Sequence, residues 1–190
     1  MPSVDPYLLS NKRFAASDTF TDLSIYPAEN ICVITCLDPR TDPAAFFEIS
    51  LGDAVVIRNA GGRVTPAVLA DLALISYLSE TKLRPDASPL FEIVVIHHNK
   101  CGTSFLAERE FRSKFSERAG LHEEDLIDEA VVDPRQTVKA DVDTLLRSEQ
   151  LSRRISVSGH VYDVDTGLVT TIVPTVRMPS HPGPDDALTL

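Results

Sequence analysis

Three short apolar runs, separated by stretches with helical spacing, limit this chain to few folds. Residues 31–35 (Ile-Cys-Val-Ile-Thr), 54–58 (Ala-Val-Val-Ile-Arg) and 91–96 (Phe-Glu-Ile-Val-Val-Ile) are brief, rich in β-branched side chains and bounded by polar turns, so they read as buried strands. After the first run, Asp42 can cap a helix that Pro43 starts and Ala44-Ala45-Phe46-Phe47 fill. After the second, Thr65-Pro66 opens another helix, in which Val68, Leu69, Leu72, Ile75 and Leu78 recur at helical spacing. Strand, helix, strand, helix, strand is the order that builds a parallel sheet with right-handed crossovers. The expected fold class is therefore α/β, a central mainly parallel sheet flanked by helices.

Beyond Gly102 the pattern turns helical and charged over 104–118, 121–130 and 134–150, and 157–161 and 168–173 form a strand pair around Asp165-Thr166-Gly167. The 190 residues suit one domain. Residues 1–27 are polar and Pro-broken, with a weak helix around 7–16, and read as an N-terminal arm. The domain proper is expected over 28–174, and 175–190, proline-rich and without apolar period, as a flexible tail. A formal net charge of -10 with no concentrated basic face argues against a nucleic-acid partner. No window is apolar for long enough to span a bilayer, and the start lacks a signal-peptide pattern, so a soluble, cytoplasmic protein with no membrane partner is expected.

Two of the runs end in residues that bind metals. Cys36-Leu37-Asp38-Pro39-Arg40 follows the first, and His98-Asn99-Lys100-Cys101-Gly102 follows the third. Two thiolates and an imidazole match a catalytic zinc site, in which three protein ligands leave one tetrahedral position open. The carboxyl ends of neighbouring parallel strands are where such sheets place their sites. Three cysteines are too few for a disulfide framework, and His-x-x-Cys spacing points to metal or catalysis. Cys32, mid-strand, reads instead as a small buried hydrophobe. His97 and His160 read as structural, or as proton shuttles if they face the cleft. Asp38 and Arg40 could form a mere surface ion pair, but their closeness to a ligand suggests a role in the site. The sharp turn Asn59-Ala60-Gly61-Gly62 reverses the chain, and its amides are candidates to line a pocket.

With these motifs placed, the chain resembles the β-class carbonic anhydrases over most of residues 25–173. Their Cys-x-Asp-x-Arg appears at Cys36, Asp38 and Arg40, their His-x-x-Cys-Gly at His98, Cys101 and Gly102, and their Arg-Asn-Ala-Gly at Arg58 to Gly61. The resemblance implies one zinc per chain on Cys36, His98 and Cys101, with Asp38 and Arg40 as the catalytic pair beside the open position. Asp38 could instead fill that position in a resting form. It also implies a site at a dimer interface, and because the arm is too polar and Pro-broken to form its own core, a homodimer or higher even homo-oligomer with the arm crossing onto the partner is expected. The short length, the double histidine His97-His98 and the stretch from Gly159 to Gly167 look like a small subgroup that includes carbonyl sulfide hydrolases.

Two departures stand out. Ser50 occupies the place where many members carry a glutamine, and it is counted with Ala60, Gly61 and Gly62 in the substrate pocket. Lys100 stands where an acid is frequent and is expected to point away from the metal. Leu37, Phe46, Phe47, Ala60, Val64 and Leu69 are expected as apolar lining. The expected activity is reversible hydration of carbon dioxide to bicarbonate. Its rivals are hydrolysis of carbonyl sulfide to hydrogen sulfide and carbon dioxide, and a non-catalytic zinc sensor or assembly protein, against which the intact Asp38 and Arg40 speak.

Overall fold

A computed structural model describes residues 3–179. Strands β1 (Ile31–Cys36), β2 (Ala54–Asn59), β3 (Glu92–His98) and β4 (Ser156–Tyr162) run parallel, and β5 (Val169–Arg177) returns antiparallel to β4, giving the sheet order β2-β1-β3-β4-β5. The fold is thus the mainly parallel α/β architecture that the alternating runs predict. The two most apolar runs, β1 and β3, lie in the interior of the sheet and are buried almost throughout, whereas β2 at the edge is only partly covered.

Side chains alternate across the sheet. Cys32 and Ile34 of β1 join Ile93 and Val95 of β3 on one face, under Leu72 of α3 (Pro66–Leu78) and Val138, Val142 and Leu145 of α6 (Pro134–Arg147). Val33, Val94 and Ile96 face the other way, where Phe46 of the one-turn helix α2 (Pro43–Phe46) stacks on Tyr162 at 4.7 Å between ring centroids. Asp42, Thr65 and Asp133 cap α2, α3 and α6 through their side chains, and each precedes a proline at the first helical position.

Three elements complete the order. Helix α1 (Asp5–Ala15) forms in the arm and buries none of its residues, while α4 (Arg109–Ala119) and α5 (Glu123–Asp128) lie between β3 and α6. The last strand runs longer than its pattern predicts, through Pro174 to Arg177. A proline is tolerated on an edge strand, and register shifts against β4 between Val157 and His160 absorb the misfit. Residues 175–177 of the expected tail therefore belong to β5, and residues 180–190 lie outside those described.

Register brings the site together. Thr35 pairs with Ile96 and Cys36 with Asn59, so β1, β3 and the turn after β2 all end on one rim.

Candidate metal centre

Cys36 is the last residue of β1 and His98 the last of β3. Cys101 returns to them through a tight turn in which Lys100 takes a left-handed conformation, φ 52°. That turn is tied to the β4–β5 connection: Asn99 Oδ1 accepts from the Val164 amide at 2.8 Å, and Lys100 Nζ points outward to Asp165 Oδ1 at 2.6 Å.

The donor atoms of Cys36, His98 and Cys101 are buried and all lie within 4.8 Å of one another. Cys36 Sγ and Cys101 Sγ are 3.8 Å apart and neither is in a disulfide. Two sulfurs bound ~2.3 Å from one ion at the tetrahedral angle stand about 3.8 Å apart, so the pair is spaced for zinc. His98 Nδ1 donates to the Asn99 carbonyl at 2.8 Å, which leaves the lone pair on Nε2. Nε2 is buried and has no hydrogen-bond partner. Such an atom is costly to bury unless it binds something, and the donor set fits zinc. The close contact of the two sulfurs pushes the Cys36 thiol up and the Cys101 thiol down from their ordinary values.

Asp38 is not among these metal-capable atoms; Arg40 holds it. Oδ1 accepts from the Arg40 backbone amide and from Nε, both at 2.9 Å, and Oδ2 accepts from Nη2 at 2.7 Å. These bonds hold the Asp38 carboxyl down at about 2. Nη2 also donates to the Lys100 carbonyl at 3.0 Å, so the pair bridges the two ligand loops. Arg58 fastens the first loop from β2, donating to the carbonyls of Cys36 at 3.0 Å and Asp38 at 2.7 Å.

A cleft of about 230 Å³ opens beside the sulfurs, with Leu37, Pro39, Ala60, Gly61 and Gly102 as apolar wall and Asp38 and Thr103 as its polar side chains. Gly61 is left-handed at φ 81°. Gly62, at φ 68°, lies behind the wall: a Cβ there would sit 2.9 Å from the Cys36 nitrogen, so only glycine lets the turn approach the end of β1. Under the turn, Asp141 of α6 accepts from Arg63 Nε at 2.8 Å, Arg63 Nη2 at 3.0 Å and the Val64 amide at 3.0 Å. His97 Nε2 lies 3.1 Å from the same carboxylate and 3.2 Å from the Gly62 carbonyl. His97 is thus fully buried in a network behind the site, as the structural reading of it expects.

The structure therefore gathers Cys36, His98, Cys101, Asp38, Arg40, Ala60 and Gly61 in one place. Ser50 is not with them: it lines a separate cavity of about 300 Å³ with Pro43, Leu51 and Val56 at the β2 edge, and its amide is bonded to Asp53 at 2.8 Å. Of the expected apolar lining, Leu37 and Ala60 are in the cleft. Phe46 instead packs on Tyr162, Phe47 lines another cavity near Glu48, and Val64 and Leu69 belong to the main core. Two residues that the sequence reading passes over belong here, Thr103 and Val131. Thr103 Oγ1 lies 3.2 Å from Cys101 Sγ, and Val131 is buried against both cysteines. Thr103 is only two residues past a ligand, a signal that was available; Val131 carries none.

A family model described as carbonic anhydrase matches residues 31–124, which include all three candidate ligands. A carbonic anhydrase from Streptococcus mutans of known structure is 31% identical, with a TM-score of 0.73 over 90% of this chain and 99% of that one. Beta-carbonic anhydrase 1 of Mycobacterium tuberculosis is 29% identical over 177 residues, 92% of this chain and all of that protein. Carbon disulfide hydrolase from an Acidianus species is 26% identical over 158 residues, covering 70% of this chain and 72% of the relative.

Proposed function

The chain belongs to the β-carbonic anhydrase family, and from that premise we propose that it is a zinc enzyme, one ion per chain on Cys36, His98 and Cys101, that reversibly hydrates carbon dioxide to bicarbonate. When bound, zinc lowers the pKa of a coordinated water toward ~7 and so supplies the nucleophile near neutral pH. The observation that carries the reading is the position of Asp38, a carboxylate fixed by Arg40 at the mouth of an apolar cleft that the two sulfurs line.

The chain's own groups divide the work. A carboxylate offers about four acceptor sites, and Arg40 takes three of them, which leaves one on Oδ2. Held at about 2, Asp38 does not carry protons near neutral pH. It accepts a hydrogen bond from the nucleophile and orients it toward the substrate carbon. Leu37, Pro39, Ala60 and Gly61 exclude water and receive a linear, weakly polar molecule.

A second reading, hydrolysis of carbonyl sulfide to hydrogen sulfide and carbon dioxide, is favoured by the same apolar wall, which discriminates poorly between close analogues. The likeness to carbon disulfide hydrolase points the same way. Both gases should be given to one zinc-loaded preparation, with proton release followed by stopped flow and sulfide release by colorimetry. Fast hydration of carbon dioxide with at most slow sulfide release supports the first reading. Fast sulfide release with little hydration makes the second the main activity, and neither activity at full zinc leaves a binding protein.

The assembly we infer is a homodimer or a higher even oligomer. Support comes from α1, whose Tyr7, Leu8, Leu9 and Phe14 are all exposed in the single chain, together with Phe20, Leu23 and Ile25 of the same arm. The organisation proposed is an arm over 1–27 and a zinc-binding domain that begins at 28 and runs through the end of β5 at Arg177. No helix among the described residues is long and apolar enough to cross a membrane. The free state of all three cysteines suits the cytoplasm, where we place the protein.

A further inference from the structure

Thr103 lies where three segments meet. Its Oγ1 is 3.2 Å from Cys101 Sγ and accepts from the Val131 amide at 3.3 Å. Val131, in the connection between α5 and α6, is buried with Cys36 and Cys101 in one small cluster. Packing there is close: a Cβ built on Gly61 would lie 3.3 Å from Thr103 Oγ1 and 3.2 Å from Val131 Cγ2.

The polarity of the bonds follows from which atoms own protons. The Val131 N–H can only donate, so Thr103 Oγ1 is its acceptor. A ligand thiolate has no proton, so it can only accept. The single hydroxyl proton of Thr103 is therefore the one directed at Cys101 Sγ. Hydrogen bonds onto a ligand atom fix its direction and tune its electron donation.

We propose that Thr103 is a positioning residue of the metal centre, donating to Cys101 Sγ and latching the ligand loop to the connection before α6 through Val131. It rests on the reading of Cys36, His98 and Cys101 as metal ligands. The hydroxyl draws electron density from the sulfur and removes one of its free orientations. Without it Cys101 keeps its bond to the metal but donates more strongly and is less well aimed. The Val131 amide, buried on the inner side of the cluster, loses its acceptor at the same time.

The test loads wild type, Thr103→Val and Thr103→Ser with cobalt(II) for absorption spectra, and with zinc for the rate of release to a chromophoric chelator. Val keeps the side-chain shape and removes the hydroxyl; Ser keeps the hydroxyl. For Val, the sulfur-to-cobalt charge-transfer band is expected at longer wavelength and zinc release faster by about 10-fold or more, with Ser close to wild type in both. Should Thr103→Val fail to reach the wild-type far-ultraviolet circular dichroism, Thr103→Ala, which leaves room for water at the Val131 amide, is expected to show the same two changes. A Val or Ala variant with unchanged band and unchanged release overturns the role of Thr103 while the wild-type band keeps the metal reading intact. Changes that Ser does not reverse also overturn it, because they then belong to the methyl group. Absence of any sulfur-to-cobalt band in wild type overturns the ligand reading itself.

Discussion

At the scale of single residues, the three candidate ligands and the Asp38–Arg40 pair were legible because each closes or follows an apolar strand, where a polar residue has no packing reason to be. Replacing Cys101 by Ser is expected to remove zinc and activity together, since a hydroxyl is a far poorer zinc ligand than a thiolate. Replacing Asp38 by Ala is expected to leave zinc near one per chain and to lower turnover by ~10 to 100-fold, the usual effect of losing a group that orients what the metal holds. Elemental analysis beside stopped-flow rates separates the two, and an Asp38→Ala protein with undiminished turnover would remove the carboxylate from the mechanism. Ser50 shows what was not legible. Its place in the sequence suggests the pocket, but the turn that Asp53 closes holds it at the sheet edge. Val131 was invisible for another reason, since it meets the cysteines only through the packing of a connection thirty residues further on.

At the scale of elements, the strand runs and capped helices carried the fold, because β-branched clusters and Asx or Thr caps before proline are local signals. The sense of each side chain was not local. Their neighbourhood in sequence suggests the cleft for Phe46 and Val64, yet one stacks on Tyr162 on the opposite face from the main core and the other enters that core. What holds the wall of the cleft is likewise a long-range contact, Asp141 of α6 gathering Arg63, His97 and the Val64 amide. Breaking such a buried pair costs about 3 to 5 kcal/mol, so Asp141→Ala is expected to lose stability on that scale at neutral pH. Burial pushes the Asp141 carboxyl up, but the hydrogen bonds and charges of His97 and Arg63 outweigh it, and the net direction is down. A folded value below the unfolded ~3.9 means that this stability is fully present above about pH 4 and is lost as pH falls through the folded value. Urea denaturation should show the gap between wild type and Asp141→Ala narrowing below pH 4. A gap that stays constant down to pH 3 would mean that the carboxylate's charge contributes nothing.

At the scale of the whole molecule, the parallel sheet explains why the site lies on one rim, and the exposed apolar side chains of the arm are what the proposed assembly would cover. An isolated 11-residue helix is marginal in water, and α1 buries none of its residues against its own chain. Sedimentation equilibrium of the full chain at micromolar concentration is expected to give a dimer or larger, and removal of residues 1–16 to weaken the assembly. A fully active monomer of the full chain would refute this. The central claim concerns the metal, and zinc K-edge X-ray absorption of the purified protein tests it most directly. The expected spectrum shows two sulfurs at about 2.3 Å and two lighter atoms at about 2.0 to 2.1 Å, one of them the His98 nitrogen, with one zinc per chain. A shell without sulfur, or zinc far below one per chain in protein kept reduced throughout, would contradict the assignment of Cys36, His98 and Cys101.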